Sequence, residues 1–299
     1  MNDGGDMKMR LIATDLDGTL LNEKHEISKE NADAIQKAKD AGVEIMVATG
    51  RSYNAAKKPL DKVGLTCPII CLNGAKIYNK EGQIISTAPL EINSCKSIQH
   101  TCQKEGMYFE LFTNKGGFSE SRDKFLEVMV DIAATANPDI DEETIRSRAS
   151  ERFQEEEIKI TNDFEALFNQ PDIEVYKILA FSLQEQQLSN VYHQLKTNGQ
   201  LAITSSGESN LEFNHPDAQK GIALEGFAKQ AGIDMKDVMA IGGDNYNDVS
   251  MLKMAGRGVA MGNANDEIKK LADFTTTSNL DNGVAHAIEE MLSEIQKGK

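Results

Sequence analysis

Leu11-Ile12-Ala13-Thr14-Asp15-Leu16-Asp17-Gly18-Thr19 is the stretch on which the reading of this chain turns. A short apolar run ends on two carboxylates two residues apart, and a glycine follows that permits a sharp turn. Open parallel sheets bind ligands at the carboxyl ends of their strands, so Asp15 and Asp17 are expected to project into such a crevice. One carboxylate is a sound nucleophile for phosphorus, because water can open the acyl phosphate it forms. The second can protonate the departing oxygen and then take a proton from water. The Thr19 hydroxyl is placed to orient Asp17. An ordinary Asp-Gly turn would use the same residue types. A calcium loop also competes, with Asp15, Asp17 and Thr19 at alternate positions and Glu26 as a twelfth ligand. It fails because Leu20 holds the required glycine position and a strand precedes the loop.

The same rhythm continues outward. Ser28 is placed to cap a helix running to Ala41, Gly42 to end it, and Val43 to Ala48 to form a second strand. A helix from Tyr53 to Val63 leads to a strand at Pro68 to Leu72. This alternation with short loops predicts a parallel sheet. The C-terminal part repeats it. Helices are expected at Gly221 to Ala231, Asp248 to Ala255, Asp266 to Ala272 and Val284 to Ile295, with strands at Val238 to Ile241 and Val259 to Met261.

Between these halves the pattern loosens. Lys76-Ile77-Tyr78 and Gln83-Ile84-Ile85 flank the turn Asn79-Lys80-Glu81-Gly82 and predict a hairpin. Strand-like runs follow at Tyr108 to Phe112, Lys177 to Leu183, Leu201 to Thr204 and Leu211 to Phe213, with an acidic helical stretch at Glu151 to Ile158. The fold expected is therefore α/β, a Rossmann-like doubly wound core from residues 1–83 and 215–299. An α+β domain, residues 84–214, is inserted into it. Phe109, Leu111 and Phe118 in the insert read as core packing before they read as a pocket lining.

Three further motifs fall at strand ends or helix starts. Ala48-Thr49-Gly50-Arg51 offers the Thr49 hydroxyl and the Gly50 N–H to a phosphoryl oxygen, although a plain helix cap would look alike. Gly242-Gly243-Asp244-Asn245-Tyr246-Asn247-Asp248 concentrates hard oxygen donors of the kind magnesium prefers. Lys220-Gly221 puts an ammonium at a helix N-terminus, where both can face an anion. Independent turns would rarely converge on one sheet in this way. Hydrolysis of a phosphate monoester requires removal of about 20 kcal/mol of barrier, most of it by positive charge around the phosphoryl oxygens.

Composition limits the alternatives. The 299 residues carry 47 acidic and 32 basic side chains, a formal net charge of −15, with 40% hydrophobic residues. Such a surface repels nucleic acid and anionic lipid, so neither is expected as a partner. It also repels phosphate, so a phosphate site must carry its own local positive charge. Met1-Asn2-Asp3-Gly4-Gly5-Asp6 lacks the order of a secretory signal, and no apolar run is of membrane-spanning length. The expected location is the cytoplasm. Cys67, Cys71, Cys95 and Cys102 lack zinc-site spacing and read as packed thiols. Gly256-Arg257-Gly258-Val259-Ala260-Met261-Gly262 mimics a dinucleotide fingerprint but runs into a strand. His25, His100, His193, His215 and His286 are scattered and read as surface residues.

Taken in order, Asp15 to Thr19, Thr49, Lys220 and Gly243 to Asp248 resemble the motifs of the haloacid dehalogenase superfamily, in its Cof-type branch (subfamily IIB) with a large α/β cap. The resemblance covers essentially the whole chain. It implies a magnesium-dependent phosphatase acting on a small phosphorylated metabolite, with Asp15 as nucleophile, Asp17 as general acid/base, and the inserted domain setting specificity. It further implies that Asp15, Asp244 and the backbone carbonyl of Asp17 hold Mg2+. Thr49, Gly50, Lys220, Asn247 and the N–H of Leu16 would hold the phosphate, and Asp248 would support the metal or position Lys220. Asn73-Gly74 and Met261-Gly262-Asn263-Ala264 also match the core pattern. A mutase would need a longer insert between Leu20 and Ala48, a dehalogenase would lack Asp17, and an ion pump would need membrane spans. The rival class is a non-catalytic sensor of phosphorylated metabolites on the same fold. The chain is expected to be a monomer or weak homodimer.

Overall fold

The apolar runs that precede polar loops at both ends of the chain all become strands of one sheet. The computed structural model describes residues 9–136 and 141–297, so the segment Met1 to Asp6 lies outside the described residues. In chain order, the elements begin with β1 (Leu11–Thr14), α1 (Lys29–Asp40), β2 (Glu44–Ala48), α2 (Tyr53–Lys62), β3 (Ile69–Cys71), β4 (Lys76–Tyr78) and β5 (Ile84–Thr87). The middle of the chain forms α3 (Ile92–Lys104), β6 (Tyr108–Thr113), β7 (Gly116–Ser119), α4 (Arg122–Ala136), α5 (Glu142–Glu155) and β8 (Ile158–Ile160). It continues with α6 (Phe164–Phe168), β9 (Val175–Phe181), α7 (Glu185–Leu195), β10 (Ala202–Thr204) and β11 (Asn210–Asn214). The chain ends with α8 (Lys220–Gln230), β12 (Val238–Gly242), α9 (Val249–Met254), β13 (Arg257–Ala260), α10 (Asp266–Lys269), β14 (Phe274–Thr275) and α11 (Gly283–Lys297).

The residues separate into two units, divided at Ser86/Thr87 and at Ala218/Gln219. The first contains an eight-stranded sheet in the order β14-β13-β12-β1-β2-β3-β4-β5. Pairing is parallel from β14 to β3, and β4 runs antiparallel to β3. From β1 the chain winds one way to β2 and β3, then returns on the other side as β12, β13 and β14. The strand order therefore reverses between β1 and β12, the place where a doubly wound sheet opens a crevice at its carboxyl edge. Leu11, Met46, Ala240 and Met251 are fully buried in the core under it. Burial of Leu11, Met46 and Met251 contributes about 1.5–3 kcal/mol each, and of the smaller Ala240 about 0.8 kcal/mol. Local signals place α1 as expected: the Ser28 hydroxyl accepts from the Asn31 N–H, Lys37 and Lys39 close the last turn, and Gly42 follows at φ +84°.

The second unit contains a six-stranded sheet, β10-β11-β9-β6-β7-β8, antiparallel except for the β7–β8 pair. Phe109 and Leu111 are fully buried in its core, with Phe118 packed against them. That cluster is core packing. Glu110, fully buried, accepts from both Arg152 Nη1 (2.9 Å) and Nη2 (2.7 Å), and also from the Tyr108 hydroxyl at 3.1 Å.

Several sequence readings need correction. The acidic helix expected at Glu151 to Ile158 is α5, which starts at Glu142 because the Asp141 carboxylate caps the Thr144 N–H, whereas Ile158 opens β8. Ile84 and Ile85 belong to β5 in the core sheet rather than to the insert. The helix expected to reach Ala272 ends at Lys269. The four cysteines are buried thiols, and burial pushes Cys67, Cys95 and Cys102 up to about 12. No described helix is long and apolar enough to cross a membrane.

Candidate active site

All four motifs meet in the first unit. Asp15 follows β1, and its backbone N–H donates to the Ile241 carbonyl of β12 at 2.9 Å, which fixes the Asp15 loop against the Asp244 loop. Gly18 turns the chain at φ +63°, and a Cβ there would lie 2.5 Å from Asp244 Oδ2. Only a glycine lets the two loops approach so closely. Asn263 adds a brace, donating from Nδ2 to the Gly18 carbonyl at 2.9 Å. That gives the Met261-to-Ala264 motif a physical role the sequence left open.

Lys220 opens α8 and is almost wholly buried. Its Nζ donates to Asp15 Oδ1 at 2.7 Å and to Asp248 Oδ1 at 2.6 Å. An unpaired ammonium at that depth would be severely penalised, so the two carboxylates hold it. Asp248 Oδ2 in turn accepts the Gly243 N–H at 2.7 Å. Both oxygens of Asp248 are thus committed, and it positions Lys220 within a fixed frame. Gly74 permits the approach of α8, since a Cβ there would sit 2.7 Å from the Gln219 carbonyl. Asn247 donates from Nδ2 to Asn73 Oδ1 at 3.3 Å, which links the fourth motif to the loop after β3.

Asp15, Asp244 and Asp248 each bring a carboxylate oxygen within 4.8 Å of the others. At an effective dielectric of about 20, each such pair repels by roughly 3 kcal/mol. Burial, then Asp248, pushes Asp15 up to about 7 against the pull of Lys220. Burial, then Asp15 and Asp248, pushes Asp244 well above the usual carboxylate range. One lysine does not neutralise this cluster. A buried group of hard oxygen donors with excess negative charge fits a divalent cation, and Asp15 and Asp244 are the carboxylates with capacity for it. On Asp244, Oδ2 accepts from Asn245 Nδ2 at 2.7 Å.

Asp17 is handled differently. Arg51 donates to it bidentately, from Nε to Oδ2 at 2.8 Å and from Nη2 to Oδ1 at 2.6 Å. Desolvation raises the Asp17 pKa, but the Arg51 hydrogen bonds and charge outweigh it, and the net shift is downward. Sequence reasoning included Arg51 in its motif without giving it a role, because a contact across 34 positions leaves no local signal. His25, read as a plain surface residue, places Nδ1 3.9 Å from Asp17 Oδ1. Thr19, expected to orient Asp17, is fully buried and its hydroxyl has no partner among the described residues. Arg51 takes that role instead. Thr49 is buried after β2, with its hydroxyl oxygen accepting the Arg51 N–H at 3.2 Å, so its proton remains available to a ligand. Gly50 lies between them, half-buried. Leu16, fully buried, follows Asp15 in the same loop.

Residues 12–288 match the family described as haloacid dehalogenase-like hydrolase. The chain is 35% identical to Phosphatase YwpJ of Bacillus subtilis (strain 168), covering 95% of this chain and 100% of that protein. It is 37% identical to the 5-amino-6-(5-phospho-D-ribitylamino)uracil phosphatase YwtE of the same organism, covering 95% and 99%. Among solved structures, a haloacid dehalogenase-like hydrolase from B. subtilis superposes with a TM-score of 0.85 at 35% identity, covering 94% of this chain and 99% of that one. The chain belongs to the haloacid dehalogenase-like hydrolase family. It is a hydrolase of phosphoric monoesters.

Proposed function

We propose that this phosphatase removes phosphate from a small phosphorylated metabolite through a covalent phosphate on Asp15, with Mg2+ as its cation. The observation that carries the reading is the meeting of Asp15, Asp244 and Asp248 oxygens within 4.8 Å of one another, with buried Lys220 held by Asp15 and Asp248. In the first step an Asp15 oxygen forms a bond to phosphorus, the bond to the leaving oxygen breaks, and Asp17 gives that oxygen a proton. In the second, water attacks the phosphorus of the acyl phosphate, Asp17 takes the water proton, and Asp15 is regenerated. Thr49, Gly50, Lys220, Asn247 and the Leu16 N–H hold the phosphoryl oxygens. Asp248 keeps Lys220 in place. A magnesium ion held by Asp15, Asp244 and the Asp17 carbonyl supplies, when bound, charge neutralisation at the phosphoryl group.

The second unit, Thr87–Ala218, is proposed to select the substrate. YwtE is named for 5-amino-6-(5-phospho-D-ribitylamino)uracil, a phosphorylated ribityl compound. Sugar phosphates, flavin precursors and pyridoxal phosphate are the candidates to assay. Asp15→Asn removes the attacking oxygen with little change of shape. It should lower magnesium-dependent release of phosphate from p-nitrophenyl phosphate by about 10⁴-fold or more, with an unchanged melting curve. Undiminished turnover would refute the nucleophile assignment. Wild-type protein that binds sugar phosphates without ever releasing phosphate would establish the sensor reading.

A further inference from the structure

The loop from Leu21 to Ile27 is built to hold one side chain beside the general acid. Leu21 and Ile27 pair as an antiparallel bridge. Between them the Asn22 side-chain oxygen accepts from the N–H groups of Lys24 (2.9 Å) and Glu26 (3.1 Å), while its carbonyl accepts from the His25 N–H at 3.0 Å. Lys62 of α2 reaches Glu26 at 3.5 Å from outside. The residue at the tip is His25, in the left-handed region at φ +55°. A non-glycine residue in that conformation is uncommon, and here the surrounding turn enforces it. The result is an imidazole whose Nδ1 faces Asp17 Oδ1 at 3.9 Å while the side chain stays 63% exposed.

We propose that His25 is a specificity-determining residue that contacts the leaving group, and that the leaving group it favours is hydroxyl-rich, a polyol or sugar. This rests on the phosphatase reading above, in which Asp17 donates its proton to the leaving oxygen. In that reading the leaving oxygen comes within hydrogen-bond reach of the Asp17 carboxylate, so an exposed side chain whose Nδ1 lies 3.9 Å from the same carboxylate borders the space the leaving group fills. Arg51 already occupies both Asp17 oxygens, so Asp17 does not need His25 to hold it. An imidazole offers one donor and one acceptor when neutral, which matches a hydroxyl, itself both donor and acceptor.

The test compares wild type with His25→Asn and His25→Gly, both of which tolerate positive φ and so preserve the loop. Initial rates are measured with magnesium on p-nitrophenyl phosphate, whose leaving group has no hydroxyl arm, and on ribitol 5-phosphate and glucose 6-phosphate. In both variants the ratio of kcat/KM for the polyol phosphates to that for the aryl phosphate should fall about fivefold or more, mainly through KM. A ratio unchanged in both variants overturns the inference. So does an equal loss of kcat on every substrate with KM constant, which would make His25 a support for Asp17 only. Wild-type protein that turns over none of the three brings down the phosphatase reading and this inference with it, an outcome distinct from variants that simply track wild type.

Discussion

Asp17 accepts two parallel hydrogen bonds from one guanidinium, a geometry that lysine cannot reproduce. In the proposed mechanism Asp17 serves the leaving group, and the fork both fixes where its carboxylate points and favours its ionised form, so loss of the fork should show wherever the leaving group depends on Asp17. Arg51→Lys keeps a charge but not the fork. It is expected to lower kcat for alkyl phosphates by about 10–100-fold, and to affect p-nitrophenyl phosphate much less, because p-nitrophenolate departs with little help. Rates across a series of leaving groups check this, and a uniform loss along the series would argue against a positioning role. At this scale the sequence displayed the identities of Asp15, Thr49, Lys220 and Asp248 because each sits beside a strand end or helix start. It did not display Arg51 on Asp17, Asn263 on Gly18, or the orphaned Thr19 hydroxyl, since those depend on which distant loops fold side by side.

At the scale of elements, the first unit was legible because its buried strands are short, continuous apolar runs ending in polar loops. The second unit was less so. In α3 the buried positions are Ser94, Cys95, Ile98, Thr101 and Cys102, a stripe too small and polar to stand out as a helical face. In α5 the buried residues are only Ile145, Ala149 and Phe153, and its docking depends on Arg152 as well. Glu110 is fully buried on β6, while the Arg152 side chain retains 30% exposure and stacks near Phe125. Glu110→Ala leaves that guanidinium without its partner. The expected loss is about 2–3 kcal/mol, below the ~3–5 of a fully buried pair because Arg152 can still be partly hydrated. Urea unfolding measures it. Glu110→Leu combined with Arg152→Met should recover most of the loss, and a double variant no more stable than the single one would show that packing, not charge, was at stake.

For the whole molecule, the balance of charge couples stability to pH and to metal. Asp15 in the folded protein is raised from 3.8 to about 7, and Asp244 is raised as well. Between those values the folded state binds more protons than the unfolded state, so this contribution to stability is complete below about pH 4 and is lost as pH rises through about 7. Asp17 is shifted the other way; its contribution is present at neutral pH and lost only as pH falls below the usual carboxylate range. The chelated protein should therefore melt at progressively lower temperature from about pH 5 to about pH 7.5. Part of that slope comes from the net charge of −15. Asp15→Asn with Asp244→Asn separates the two, because it removes the local part and leaves the general repulsion. On the proposed reading magnesium binds the ionised carboxylates, so an excess of it should raise the wild-type melting temperature more at about pH 7.5 than at about pH 5. At a hundredfold excess over Kd the gain is about 2.7 kcal/mol. Equal stabilisation at both pH values, or a slope untouched by the double substitution, would mean that the carboxylate cluster is not where proton and metal compete.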